Sequence, residues 1–163
     1  MEYTHVKHTF LPVYNEESRI LILGSFPSVK SRENQFYYGH PQNRFWKVIA
    51  GIFKEPLPQT IDEKEDLLLR HRIAVWDVID SCDIVGSSDS SIRNVVPNDM
   101  DLILSNAKIQ GIFANGGKAH QLFVKYCHKE GMPPLGKLPS TSPANAAWNL
   151  ERLTAEWKTA FET

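Results

Sequence analysis

With 163 residues, 42% of them hydrophobic and 23% charged, and a net charge of −1, the chain has the make-up of one soluble domain, spanning 1–163, and is too short for two. No apolar run approaches the roughly 18 residues of a membrane span, and MEYTHVKHTF lacks a charged start followed by an apolar signal core, which argues for a cytoplasmic protein. Cys82 and Cys127 form no ligand pattern, and two thiols alone make neither a zinc nor an iron–sulfur site, so no metal and no cofactor is expected.

The first apolar run, Ile20–Leu23, reads as a buried strand leading into GSFPS, Gly24 to Ser28. Tyr37 and Tyr38 then open a polar turn, His40-Pro41-Gln42-Asn43. A helix is expected over Asn43–Phe53, with Phe45, Trp46, Ile49, Ile52 and Phe53 on its apolar face. Thr60 suits the N-cap of a helix over Ile61–His71. Ile73–Val78 is the second strand, with Trp76-Asp77 near its end. Asn98 opens a helix to Ala107, with Asp99 and Asp101 in the first turn, where they favour the helix dipole. Ile109–Ala114 is the third strand. NGGK, Asn115 to Lys118, follows it, and the helix Gly117–Glu130 closes before Gly131. A weaker strand, Leu135–Pro139, leads into STSPAN, Ser140 to Asn145. The last helix, Asn145–Phe161, is anchored by Trp148, Leu150, Leu153, Trp157 and Phe161.

Strands alternating with helices imply an α/β domain with a mainly parallel sheet, and such sheets bind ligands beyond the carboxyl ends of their strands. The unusual residues fall at those ends, so they should gather on one edge. Charge is uneven too. Residues 24–48 carry Lys30, Arg32, Arg44 and Lys47 against Glu33, a net of +3, and residues 114–142 carry another +3. Residues 54–101 hold eleven acids against five bases. The two basic stretches are either ordinary solvated faces or a one-sided field that attracts phosphates.

Each candidate residue has two readings. Gly24 is a plain turn glycine, or it lets Ser25 and Phe26 bring peptide N–H groups to a ligand. Ser28 and Ser31 cap a loop or bind phosphate oxygens. Asn115 stabilises a strand-to-helix turn, or offers its acceptor and donors to a lactam edge. Lys118 is solvated or meets a phosphate. One of Tyr37 and Tyr38 stacks on a flat ring, or both pack on the core. Arg44 makes an ion pair or binds phosphate. Ser140, Thr141 and Ser142 pinch phosphates or cap the last helix. Asp77, Asp80 and Asp83 have no metal-binding spacing and read as solvated or structural.

In order and spacing, Gly24–Pro27, His40–Lys47 (HPQNRFWK), Asn115 in NGGK and Ser140–Asn145 resemble the uracil-DNA glycosylase superfamily, on the side of the mismatch-specific and thymine-DNA enzymes. Relatives keep Asn or Asp as the third residue of the first loop, where it positions water; here that residue is Phe26. GSFPS followed by YYGHPQN resembles the hypoxanthine-DNA glycosylase family within that superfamily. The resemblance implies a three-layer α/β/α sandwich with a central, mainly parallel four-stranded sheet. It implies a monomeric, monofunctional enzyme that excises a deaminated base from double-stranded DNA, hypoxanthine preferred and uracil second. In a prokaryote such an enzyme would be nucleoid-associated. It moves water positioning to Asn43, with Asn115 in support. Gly24, Ser25, Phe26, Tyr38 and Asn115 would hold the base. Ser28, Ser31, Lys118, Ser140, Ser142 and Asn145 would hold DNA phosphates. The loss of the loop carboxamide at Phe26 leaves a second possibility, a non-catalytic protein of this fold that binds a nucleotide or damaged DNA. A small-molecule hydrolase using Ser25 or Ser28 has no recognisable His and acid arrangement to support it.

Overall fold

The computed structural model describes residues 2–162. Its elements in chain order are β1 (Thr4–Lys7), β2 (Ile20–Gly24), α1 (Val29–Asn34), α2 (Phe45–Phe53), α3 (Ile61–Arg70), β3 (Ile73–Asp77), β4 (Ile79–Ile84), β5 (Arg93–Pro97), α4 (Asp101–Leu104), β6 (Gly111–Asn115), α5 (Gly117–Tyr126), β7 (Leu135–Leu138) and α6 (Leu150–Lys158). The four expected strands form one parallel sheet in the order β3-β2-β6-β7. Leu21, Ile22 and Leu23 are all fully buried, as are Ile73, Ala74 and Val75. Successive strand residues point to opposite faces, so both faces of this sheet are covered, as parallel sheets require. α3 packs on β3, α5 on β6 and β7, and α2 against α6. This is the layered α/β arrangement that the sequence implies.

α3 forms for the expected reason. Thr60 accepts from the Glu63 N–H, and the Glu63 carboxylate accepts from the Thr60 N–H, a reciprocal cap on two otherwise orphaned donors. Other boundaries differ. Asn98 does not cap a helix; its amide donates to the Asp77 carbonyl at 2.9 Å, and α4 shrinks to one turn. α5 stops at Tyr126, well before Gly131, with buried Cys127 at its cap. α6 starts at Leu150 because Asn149, not Asn145, accepts from the Arg152 N–H. No helix of the described residues is long and apolar enough to cross a membrane.

α1 and a second, antiparallel sheet in the order β1-β4-β5 carry no such signal in the sequence. β4 (IDSCDI) is too polar to read as an apolar run. Its Asp80 and Asp83 pair across to Lys7 and His5. The sheet matters here because β1 delivers the next residue, His8, into the protein interior.

Candidate active site

The ends of β2, β3, β6 and β7 open onto one cleft of about 330 Å³, as their shared direction requires. Gly24, Asp77 and Asn115 end three of the strands, and the loop Ser140–Ala144 follows the fourth. Tyr38, His40 and Asn43, from the segment before α2, complete the wall.

Gly24 is required by its neighbours. A Cβ there would lie 2.4 Å from Asp77 Oδ1 and 3.1 Å from the Tyr38 hydroxyl. The Asp77 carboxylate cannot easily yield, because His8 Nε2 holds its Oδ2 at 2.9 Å and both side chains are buried. Gly24→Ala should therefore cost about 1–3 kcal/mol through overpacking. A lowered urea midpoint checks this; an unchanged midpoint would mean that Asp77 can swing aside.

The two tyrosines part company. Tyr37 is core: its hydroxyl donates to the Leu11 carbonyl, and its own carbonyl accepts from the Trp46 indole. Tyr38 is half-buried in the cleft wall, with one ring face stacked on Phe45 at 4.1 Å. Its backbone is left-handed, φ 54°, a strained setting for a bulky residue and one that clusters at functional sites. Its hydroxyl is sealed from solvent without a hydrogen-bond partner. Burial first, and then the Asp77 charge, raise its pKa, with Asn115 acting the other way.

The two candidate asparagines are joined through Thr141, which is fully buried. The Asn115 Oδ1 accepts from the Thr141 N–H, and the Asn115 amide donates to Thr141 Oγ1, each at 3.0 Å. Thr141 Oγ1 in turn donates to Asn43 Oδ1 at 2.8 Å. The Phe45 N–H also donates to Asn43 Oδ1, at 2.9 Å. Since a backbone N–H can only donate, it fixes which end of each amide is oxygen. Both lone pairs of the Asn43 oxygen are thereby engaged. Among the described residues no hydrogen bond engages its Nδ2, so Asn43 faces the cleft as a donor.

Arg44 is neither an ion-pair residue nor open to phosphate. Its guanidinium donates to the carbonyls of Thr141, Ser142, Asn145 and Trp148. It ties the loop after β7 to the start of α2. Ser31 is 2% exposed, with its hydroxyl taken by Gly39 N–H and Ser28, which removes it from any surface a phosphate can reach. Ser28 caps α1 through the Ser31 N–H and stays half-exposed. Ser140 accepts from Ser142 N–H, and Ser142 from Ala144 N–H, which leaves both hydroxyl protons free to donate outward. Asn145 turns its amide onto the Ser140 carbonyl. Lys118 sits half-buried in the first turn of α5. Phe26 is buried, edge-on to His8 at 6.2 Å, with Arg32 over its ring. Ser25 donates to Asp89. Among the described residues no hydrogen bond engages the backbone N–H of Ser25 or Phe26.

Asp89 and His8 are the site residues that sequence reasoning missed, and Asp77 and Thr141 stand in the site in roles other than those expected of them. Asp89 is open to solvent through the cleft mouth but otherwise ringed by protein. That withdrawal from water raises its pKa, with Asp77 adding to the rise and Ser25 and Lys118 opposing it. The sequence offers Thr141 as one of three consecutive hydroxyls, a weak signal for the buried bridge it forms between the asparagines. His8 carries none.

The profile of the Uracil DNA glycosylase superfamily matches residues 11–162. A protein named Hypoxanthine DNA glycosylase from Methanosarcina acetivorans is 36% identical over 159 residues, covering 96% of this chain and 98% of that protein. A protein of the same name from Methanosarcina barkeri is 35% identical over 116 residues, 69% of this chain and 73% of its own length. The solution NMR structure of a Methanosarcina acetivorans protein superposes with a TM-score of 0.76 at 33% identity, covering 93% of this chain and 94% of that one.

Proposed function

The chain belongs to the uracil DNA glycosylase superfamily and is a DNA N-glycosylase, and from that premise we propose that it hydrolyses the bond between deoxyribose and a deaminated base, hypoxanthine first and uracil second, as a monomer on double-stranded DNA. The observation that carries the reading is the Asn43 amide, fixed at its oxygen and unpaired at its nitrogen on the cleft wall. Phe26 leaves the first loop without a polar side chain at this position, so Asn43 is the group left to place water.

The free hydroxyls of Ser140 and Ser142, with Ser28 and Lys118 nearby, hold backbone phosphates. The damaged nucleotide leaves the stack, at a cost of a few kcal/mol that is least for a mispaired base. The Tyr38 face not covered by Phe45 stacks on it, worth about 1–3 kcal/mol. The N–H groups of Ser25 and Phe26 hold its carbonyl and strengthen their bonds as the leaving base gains negative charge. Asn115 acts through Thr141, holding both Asn43 and the loop in register. The C1′–N bond breaks, and the sugar carries positive charge. A water bound through one lone pair to Asn43 N–H attacks with the other and yields a proton to the departing base or solvent. An amide cannot deprotonate water in advance, which fits a dissociative reaction with weak demand on the nucleophile. Among the described residues no lysine lines this cleft, so a Schiff base is not expected and the product is an intact abasic site.

Incubation with duplexes bearing deoxyinosine, deoxyuridine or deoxyxanthosine, followed by alkali, tests this. Release from deoxyinosine ahead of deoxyuridine is expected; no release from any of them would sink the proposal.

Asp89 gives a pH-dependent companion. Its raised pKa means that it stays protonated to a higher pH than an ordinary carboxyl. Ionisation therefore costs stability as pH rises from the ordinary value of about 4 to the raised one, and the deficit persists above. The same charge repels DNA at the cleft mouth. Asp89→Asn should tighten DNA about two- to fivefold at neutral pH, the scale of one exposed charge interaction. That gain should fade as pH falls and the wild-type group becomes neutral. Anisotropy titrations at constant ionic strength read it; a pH-independent gain would assign the effect to shape.

A further inference from the structure

The loop after β7 sends its three hydroxyls two ways. Ser140 and Ser142 are half-buried on the cleft wall, and Thr141 between them is fully buried. Every polar group of Thr141 is committed. Its N–H donates to Asn115 Oδ1, its carbonyl accepts from the Arg44 N–H at 3.0 Å, and its hydroxyl accepts from the Asn115 amide. That leaves the hydroxyl one proton, which goes to Asn43 Oδ1 at 2.8 Å. Donation thus runs one way, from Asn115 through Thr141 to Asn43. On the other side of the same residue, the peptide that joins Thr141 to Ser142 donates its N–H to Ser140 Oγ at 3.1 Å. One peptide therefore stands between a hydroxyl offered to phosphate and the hydroxyl that fixes the Asn43 amide. Valine has nearly the shape of threonine, so packing alone does not ask for that hydroxyl.

We propose that Thr141 is a positioning residue that couples the hold on the DNA backbone to the placement of Asn43, so that the bound complex reacts at full rate only while Ser140 and Ser142 hold a phosphate. The inference rests on the excision reading above and adds to it a dependence of the chemical step on the phosphate contact. The physical link is hydrogen-bond cooperativity. A hydroxyl that donates to a phosphate oxygen is polarised and becomes a better acceptor. Ser140 Oγ then draws in the Ser142 N–H, and Ser142 Oγ the Ala144 N–H. Both bonds are 3.1 Å long, beyond the usual ~2.9 Å, and have room to shorten. The Arg44 N–H pins the Thr141 carbonyl at the other end of that peptide, so the peptide turns rather than slides. The turn passes to the Thr141 side chain and on to Asn43. Small shifts matter there, since misplacing a reacting group by about 1 Å can cost about 10²-fold in rate.

The test is a double-mutant cycle read on single-turnover release of hypoxanthine, with enzyme in saturating excess so that affinity does not enter. Ser140→Ala should slow release by about tenfold in the wild-type background and by no more than about twofold after Thr141→Val, where the link is already cut. Thr141→Ser keeps the hydroxyl and should restore both the rate and the sensitivity to Ser140→Ala. Equal effects of Ser140→Ala in the two backgrounds overturn the proposal, because a purely structural threonine leaves the losses multiplicative. Should Thr141→Val not fold, a neutral methylphosphonate at each phosphate flanking deoxyinosine takes its place. One of the two should cost wild type at least about fivefold in rate at saturation, and a loss of affinity alone overturns the proposal. The side-chain NMR signal of Asn43 gives a readout without excision. An undamaged duplex, which brings phosphates but no extruded base, should shift the Asn43 Nδ2 signal in wild type and by less than about half as much in Ser140→Ala and Thr141→Val. A shift of undiminished size in the folded variants overturns the proposal. A wild type that releases no hypoxanthine would sink the excision reading, while the Asn43 signal still judges the coupling.

Discussion

Asn43→Ala should slow single-turnover release of hypoxanthine by about 10²–10³-fold, the usual loss when one preorganised donor is removed from a reacting centre. DNA affinity should change by no more than about threefold, because the Asn43 Nδ2 faces the cleft and Arg44 still holds the phosphate-binding loop in place. The alanine variant also removes an acceptor from Thr141 and a cap from Phe45, so it confounds position with chemistry. Asn43→Asp separates them. The carboxylate keeps both acceptor contacts and loses the N–H that binds water. It should be as slow as the alanine variant while melting near wild type. Full activity in Asn43→Asp would replace the donor by a general base, and equal losses of rate and affinity in Asn43→Ala would make Asn43 a binding or structural residue.

Arg44→Ala should be the most destabilising single change around the site, by about 3–5 kcal/mol. The guanidinium serves four carbonyls of the loop and of the turn into α6, and bonds from a charged donor each contribute about 1.5–3 kcal/mol before relaxation and water recover part of the loss. For a chain of this size that corresponds to a melting temperature lower by roughly 6–20 °C. Arg44→Lys should recover little, since an ammonium has three donors at one point and cannot span carbonyls spread along a loop. Activity should fall with stability, because Thr141 sits in the loop that Arg44 holds. A lysine variant that melts with wild type would show that one or two of these bonds suffice.

The parallel sheet was legible because its strands are short apolar runs covered on both faces, with glycine or a polar turn at each end. The site followed from the same rule: Gly24 and Asn115 end their strands, Ser140 falls just beyond one, and Tyr38 and Asn43 lie in a turn that stops at a helix. What sequence could not supply was partnership. Nothing in HPQNR distinguishes an arginine that binds phosphate from one that gathers backbone carbonyls. Ser28 and Ser31 are alike in sequence, yet one caps a helix at the surface and the other is sealed inside. The acids of the 77–83 stretch read as one cluster. They divide once β4 is known to be a strand: Asp80 and Asp83 pair across the second sheet, and Asp77 turns into the cleft. That sheet was missed because β4 is polar, its pairing with β5 is irregular, and its other partner, β1, lies far off in the chain.

The His8–Asp77 contact joins a residue outside the matched family segment, which begins at residue 11, to one inside it. A change at His8 therefore reaches the cleft through a buried carboxylate that it holds in place. The first ten residues thus help shape a cleft that they do not line, and a substitution there can be felt in the site without touching it.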